Sequence, residues 1–283
     1  MEEQRFQICE TAWCPGCGNF GILKCLKDAL EELGKDPHEV LMVAGIGQAA
    51  KTPQYIGANS FCGLHGRAVP PAVAAKIVNP ELTVIINTGD GDSYGEGGND
   101  FIHNIRRNVD ITHFVHDNQV YGLTKGQASP TADEGTVTGV QVEGSRNIPF
   151  NPVLMAIAAG AGFVARSFSG NPRHLKEMMK RAIRFKGYAM VDILQPCVSF
   201  NKVNTFAWYK QRVYELDGSH DTSDRLQAME KAMEFGERIP IGILYENPQP
   251  TYPEKHGVLK NGQVLAGRRN DPDLISRFMR ELV

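Results

Sequence analysis

Asn87-Thr88-Gly89-Asp90-Gly91-Asp92-Ser93-Tyr94-Gly95 follows directly on an apolar, β-branched run at residues 83–87. Such a run suits a strand buried on both faces, as in a parallel sheet. Glycines at a strand's C-terminal end let the backbone approach a phosphate, with N–H groups free to point at it. The aspartate between two of them offers a hard oxygen to Mg2+, which takes carboxylates, carbonyls and phosphate oxygens. A second apolar run, 111–116, leads into Asp117-Asn118-Gln119-Val120-Tyr121-Gly122. Neighbouring tips of a parallel sheet bring Asp90 and Asn118 to one cation. Gly-Asp-Gly alone reads more readily as a plain Gly-rich turn. The amide at the next strand's end, with 26 residues between it and Gly91, lifts the pair above that reading.

Outward from this centre, apolar runs at 40–44, 162–166 and 189–194 bring the strands to five. Helical stretches lie between and around them at 20–33, 68–77, 98–107, 152–159 and 172–186. Asn151-Pro152 and Asn171-Pro172 read as N-caps followed by proline in the first turn. The alternation predicts right-handed crossovers and a doubly wound, mostly parallel α/β sheet. Beyond Val198 the pattern changes, and Asn247-Pro248-Gln249-Pro250-Thr251-Tyr252-Pro253 excludes regular structure because proline removes donors and fixes φ. Residues 1–197 are read as one core with an N-terminal Cys-x-x-Cys segment. Residues 198–283 are read as an arm of two or three helices packing on the core or on a partner subunit.

A net charge of −2 over 283 residues argues against a nucleic-acid surface or an anionic membrane as partner. No stretch approaches the ~18 apolar residues of a membrane span. The N-terminus Met1-Glu2-Glu3-Gln4-Arg5 lacks the apolar stretch of a secretion signal, so a cytoplasmic location is expected. The six cysteines then point to metal or redox chemistry rather than disulfides. Cys14-Pro15-Gly16-Cys17 lies in a turn that frees both sulfurs to face one point, as iron–sulfur or zinc ligation requires. A thioredoxin-like pair competes, although no strong strand precedes Cys14, and two inert thiols are the third reading. Cys9 and Cys25 have no partner spacing and are read as core. A plain nucleotide site is weaker, since Gly-x-x-x-x-Gly-Lys is absent.

Asp90 between its glycines, followed by Asn118, resembles the thiamine-diphosphate fingerprint. Tyr121-Gly122-Leu123-Thr124-Lys125-Gly126-Gln127-Ala128-Ser129-Pro130-Thr131 resembles the matching loop in the thiamine-diphosphate (beta) subunit of 2-oxoacid:ferredoxin oxidoreductases. Trp13-Cys14-Pro15-Gly16-Cys17-Gly18-Asn19, Leu64-His65-Gly66-Arg67-Ala68, Gln195-Pro196-Cys197 and Tyr245-Glu246-Asn247-Pro248 extend that resemblance over most of the chain. It implies Mg2+ held by Asp90, the Asn118 side chain and the Val120 carbonyl against the cofactor's diphosphate. It implies cofactor contacts from Ile46, Gly47, His65, Gly66, Arg67, Gly89, Gly91, Asp92, Gly122, Leu123 and Thr124. His65 and Lys51 are the residues expected nearest the chemistry. Lys51 offers an ammonium to a distal substrate carboxylate, which favours 2-oxoglutarate.

The implied reaction is oxidative decarboxylation of a 2-oxoacid to acyl-coenzyme A, with electrons passed to ferredoxin, or its reverse. An alpha (or gamma-alpha) subunit is implied as supplier of the pyrimidine-side half of the site, in a dimer of heterodimers. The family's [4Fe–4S] ligands match at Cys14, Cys17 and Cys197. A further ligand, the cysteine of Gly-Ile-Gly-Cys, does not: the chain reads Gly45-Ile46-Gly47-Gln48. Three outcomes stay open: Cys62 substitutes, three thiolates hold a cluster, or no cluster binds. The last is what a non-redox thiamine-dependent decarboxylase subunit would show.

Overall fold

Alternating apolar runs and amphipathic stretches fold in the computed structural model into a sheet with helices on both faces. Residues 5–262, 264–267 and 272–282 are described. The strands are β1 (Val40–Ala44), β2 (Asn59–Cys62), β3 (Thr83–Gly89), β4 (Ile111–Asp117), the short hairpin β5 (Val120–Tyr121) and β6 (Gln127–Ala128), β7 (Phe163–Phe168), β8 (Tyr188–Leu194), β9 (Val213–Glu215) and β10 (Ile239–Glu246). The helices are α1 (Gly18–Glu32), α2 (Thr52–Tyr55), α3 (Val69–Val78), α4 (Gly98–Arg107), α5 (Pro152–Ala158), α6 (Pro172–Arg184), α7 (Phe206–Arg212), α8 (Arg225–Met233) and α9 (Pro272–Glu281). Eight strands pair in the order β2-β1-β3-β4-β8-β7-β10-β9, all parallel except where β10 runs antiparallel to β7.

Period two along the strands sorts side chains into two cores. Met42, Ile85, Phe114 and Val191 face α1 and α6, which bring Leu26, Leu30, Leu175 and Met179. Val43, Ile86, Val115 and Met190 face the other layer, where α4, α5 and α8 supply Phe101, Ile157 and Ala232. Both Asn-Pro starts behave as read: the Asn151 side chain accepts from the Leu154 N–H, and that of Asn171 from the His174 N–H.

The five strands read from sequence are β1, β3, β4, β7 and β8. Within 198–283 lie α7, α8 and α9, in the number the sequence reading gave, but strands lie there too. β9 and β10 lie there, and β10 extends the sheet, so the boundary at 197 cuts through one architecture. Ile241, Leu244 and Tyr245 of β10 are buried, Leu244 and Tyr245 in the second core. Among the described residues, no helix is long and apolar enough to cross a membrane.

Candidate active site

β3 and β4 pair in parallel with Gly89 opposite His116, so their tips end level. Asp90 begins immediately after β3 and caps a π-helical turn over Gly91–Glu96. Such turns are rare and cluster at functional sites. Beyond β4, Gln119 takes the left-handed conformation (φ 62°), and the Asn118 Oδ1 accepts from the Val120 N–H at 3.0 Å. That closed turn puts the Asn118 side chain and Val120 on one small loop facing Asp90. One cavity is lined by Ile46, Gly47, His65, Gly89, Asp90, Gly91, Asp92, Asn118, Val120, Gly122, Leu123 and Thr124, together with Gln48, Ala49 and Tyr121.

Asp90 is buried and accepts through Oδ2 from the Ser129 hydroxyl. Thr131 Oγ1 lies 2.6 Å from the same oxygen and 2.7 Å from Asp117 Oδ1. A hydroxyl has one proton to give, so only one of those two carboxyls can receive it. Burial, with Asp192 and Asp90 adding to it, holds the Asp117 carboxyl well above the usual carboxylate range. The Thr131 hydroxyl therefore bridges the two buried carboxyls. Burial also raises Asp90, against the Ser129 and Thr131 hydroxyls that lower it. Arg166 reaches only to 3.9 Å of Asp192. A buried carboxylate short of positive charge is stabilised by a cation. One carboxylate, one amide oxygen and one carbonyl are the hard donors Mg2+ takes. These residues fit the metal and diphosphate that the sequence implies.

Asp92 lines the cavity and ties its loops together. Its Oδ1 accepts from the Ile46 N–H at 3.0 Å and the Gly66 N–H at 2.7 Å, and pairs with His65 Nδ1 at 2.6 Å. Burial raises its carboxyl, with those bonds opposing. Gly66 has φ +71°, and a Cβ there would stand 2.3 Å from the Glu96 carbonyl carbon, so the approach demands glycine. With Nδ1 on Asp92, the other ring nitrogen of His65, Nε2, lies 3.5 Å from Glu96 Oε2.

Three predicted residues are not brought into the lining. The Gly66 role is through its N–H on Asp92. The Arg67 guanidinium donates to the Glu96 carbonyl at 2.9 Å and pairs with Asp100 at 3.4 Å. Lys51 ends a short 3-10 turn just past Ala49 and forms no ion pair among the described residues. Ser129, Thr131 and Tyr121 belong to the site although the sequence assigns them no role. Only their place in the loop after Asn118 points to them.

Cys17 caps the N-terminus of α1. Burial pushes its thiol up, with Cys197 and Cys14 adding to that, so these three sulfurs share one neighbourhood. Cys62 is placed differently. It sits on the exposed edge strand β2, its Sγ donates to the Gly45 carbonyl at 3.3 Å, and Asp92 is the charge that acts on it. Gln48 lines the same cavity as Asp90, its Oε1 buried without a hydrogen-bond partner among the described residues. Among the described residues, no group of three or more His, Cys, Asp or Glu side chains is disposed to hold a metal ion. The donors present do not complete a four-thiolate cluster. Cys25 is buried as read, whereas Cys9 is exposed.

Sheet, glycine-lined tip and paired oxygen donors define the diphosphate-binding half of a thiamine enzyme. The family described as "Thiamine pyrophosphate enzyme, C-terminal TPP binding domain" matches residues 40–193. A second family, the C-terminal part of the pyruvate ferredoxin oxidoreductase beta subunit, matches residues 197–261. The chain is 47% identical over 248 residues to the 2-oxoacid:ferredoxin oxidoreductase subunit beta of Saccharolobus solfataricus, covering 83% of this chain and 81% of that one. It is 38% identical to the 2-oxoglutarate oxidoreductase subunit KorB of Mycobacterium tuberculosis, covering 82% and 58%. A solved 2-oxoglutarate:ferredoxin oxidoreductase from Magnetococcus marinus, with 2-oxoglutarate, coenzyme A and succinyl-CoA bound, matches with a TM-score of 0.89. The identity there is 36%, and 96% of this chain and 92% of that one are covered. The chain belongs to the beta subunits of the 2-oxoacid:ferredoxin oxidoreductases.

Proposed function

We propose that this beta subunit holds the diphosphate end of thiamine diphosphate through Mg2+ and, with an alpha or gamma-alpha subunit, acts on 2-oxoglutarate. The observation that carries the reading is the meeting of Asp90, Asn118 and Val120 in one cavity at the level tips of β3 and β4. Asp90 supplies the carboxylate, Asn118 the amide oxygen and Val120 the carbonyl. Gly89, whose missing Cβ would meet nothing closer than the His116 carbonyl at 4.0 Å, leaves the backbone open to a diphosphate. When bound, thiamine diphosphate supplies the electron sink for loss of CO2 from a 2-oxoacid. His65, oriented by Asp92, offers Nε2 as the proton-exchanging group beside it. Ile46 and Leu123 form an apolar wall at the mouth.

Lys51 is the cation we pair with the distal carboxylate of 2-oxoglutarate. Lys51→Ala is expected to raise KM for 2-oxoglutarate about tenfold or more and leave KM for pyruvate within about twofold. Equal effects on both substrates would remove that role. Acyl transfer to coenzyme A, electron delivery to ferredoxin, a cytoplasmic setting and a dimer of heterodimers belong to the same proposal. Reductive carboxylation uses the same groups.

Gln48 favours a second reading, a non-redox thiamine-dependent decarboxylase subunit. Iron and sulfide analysis of the anaerobically purified complex separates the two. Iron that is lost on substitution of Cys17 supports the oxidoreductase, and a complex without iron supports the decarboxylase.

A further inference from the structure

The cysteine neighbourhood and the metal site are joined by one side chain, that of Gln195, which is 1% exposed. It follows β8 directly, and its backbone N–H donates to the Asp117 carbonyl at 2.7 Å. Its Nε2 donates to the Pro196 carbonyl at 3.3 Å and to Cys17 Sγ at 3.5 Å. Its Oε1 accepts from Asn118 Nδ2 at 3.4 Å. The first residue of α1 is pressed against it: a Cβ on Gly18 would stand 2.7 Å from Gln195 Cγ.

The two ends of an amide are not interchangeable, and the partners here decide which end points where. The Pro196 carbonyl can only accept, so the NH2 of Gln195 must face it and Cys17. Its oxygen is thereby turned to Asn118, which must answer with its own NH2. The Asn118 oxygen lies on the opposite side, where the Val120 N–H donates to it at 3.0 Å and supports the same orientation. We infer that Gln195 is a positioning residue that holds the Nδ2 end of the Asn118 amide while the Val120 N–H holds its Oδ1 end, so that Oδ1 rather than Nδ2 is presented to the metal, and that it ties this orientation to Cys17. The inference rests on the reading of Asn118 as a metal ligand and adds the residue that sets its face. Partners of this kind, one bond behind a ligand, typically govern metal affinity by about 10- to 100-fold.

The test is calorimetric titration of the complex assembled with its partner subunits, using Mg2+ and thiamine diphosphate as probes. Gln195→Met, of similar volume, is expected to weaken binding about tenfold or more. In an Asn118→Asp background there is no amide to orient, so adding Gln195→Met is expected to change affinity by less than about twofold. An equal loss in both backgrounds, or no loss in the first, overturns the inference. Asp90→Ala in the same titration keeps the two levels apart. Wild-type binding there removes the metal site itself, whereas abolished binding with an unaffected Gln195→Met removes only the role of Gln195.

Discussion

Asp90 draws its meaning from what surrounds it: two hydroxyls, a neighbouring carboxyl held well above the usual carboxylate range by burial and, among the described residues, no paired cation. Thr131→Val keeps the shape and removes the hydroxyl that links Asp117 and Asp90. Thermal or denaturant unfolding is expected to show a loss of about 1–3 kcal/mol. Mg2+ affinity is expected to fall about tenfold, and unchanged values of both would contradict the link. A second residue-scale consequence lies deeper in the sheet. His113 is fully buried between Thr88 and Tyr188, and burial lowers it to about 3 from the ordinary 6.5. Its folded pKa lies below its unfolded one, so the unfolded chain binds the extra proton first. Stability is therefore present above about 6.5 and lost as pH falls toward 3. At pH 5 the loss is about 2 kcal/mol. Unfolding of His113→Gln is expected to show a shallower pH dependence between 7 and 5; an identical slope would place the titration elsewhere.

At the scale of elements, the strands with unbroken apolar runs were legible because burial on both faces leaves nothing else for them to be. β10 escaped for a physical reason. Ile239-Pro240-Ile241-Gly242 carries a proline and a glycine, residues that argue against a central strand. Gly242 takes φ +139°, close beside Leu216, and the pairing with β7 slips just after it, between Ile243 and Tyr245. The exception was written in tertiary contacts, and so was the addition of β9 and β10 to the sheet. A chain ending at residue 197 is expected to lose cooperative unfolding, because β7 would face water along a whole edge. Ile241→Ala in the full chain should cost about 2–5 kcal/mol. A truncated chain that melts cooperatively near the full-length midpoint would restore the boundary at 197. In the site, Asp90 and Asn118 were legible from strand ends and spacing. Ser129, Thr131 and Gln195 were not, because no periodicity marks a side chain that bonds another side chain far along the sequence.

For the whole molecule, the proposed function makes one doubly wound unit the supplier of one half of a two-sided cofactor site. The isolated chain is expected to turn over no 2-oxoacid, and activity is expected on mixing with the partner subunit. Turnover by the chain alone would mean that the other half lies within it. Cys62 faces Gly45 and Asp92, so Cys62→Ser is expected to leave the iron content of the complex unchanged; a drop would return Cys62 to the cysteine group. The most direct measurement is a crystal structure of the complex grown with thiamine diphosphate and Mn2+ in place of Mg2+, with the metal located by anomalous scattering. A single peak within about 2.5 Å of Asp90, the Asn118 Oδ1 and the Val120 carbonyl is the predicted result. A metal bound elsewhere, or a cofactor whose diphosphate does not reach these oxygens, would contradict it.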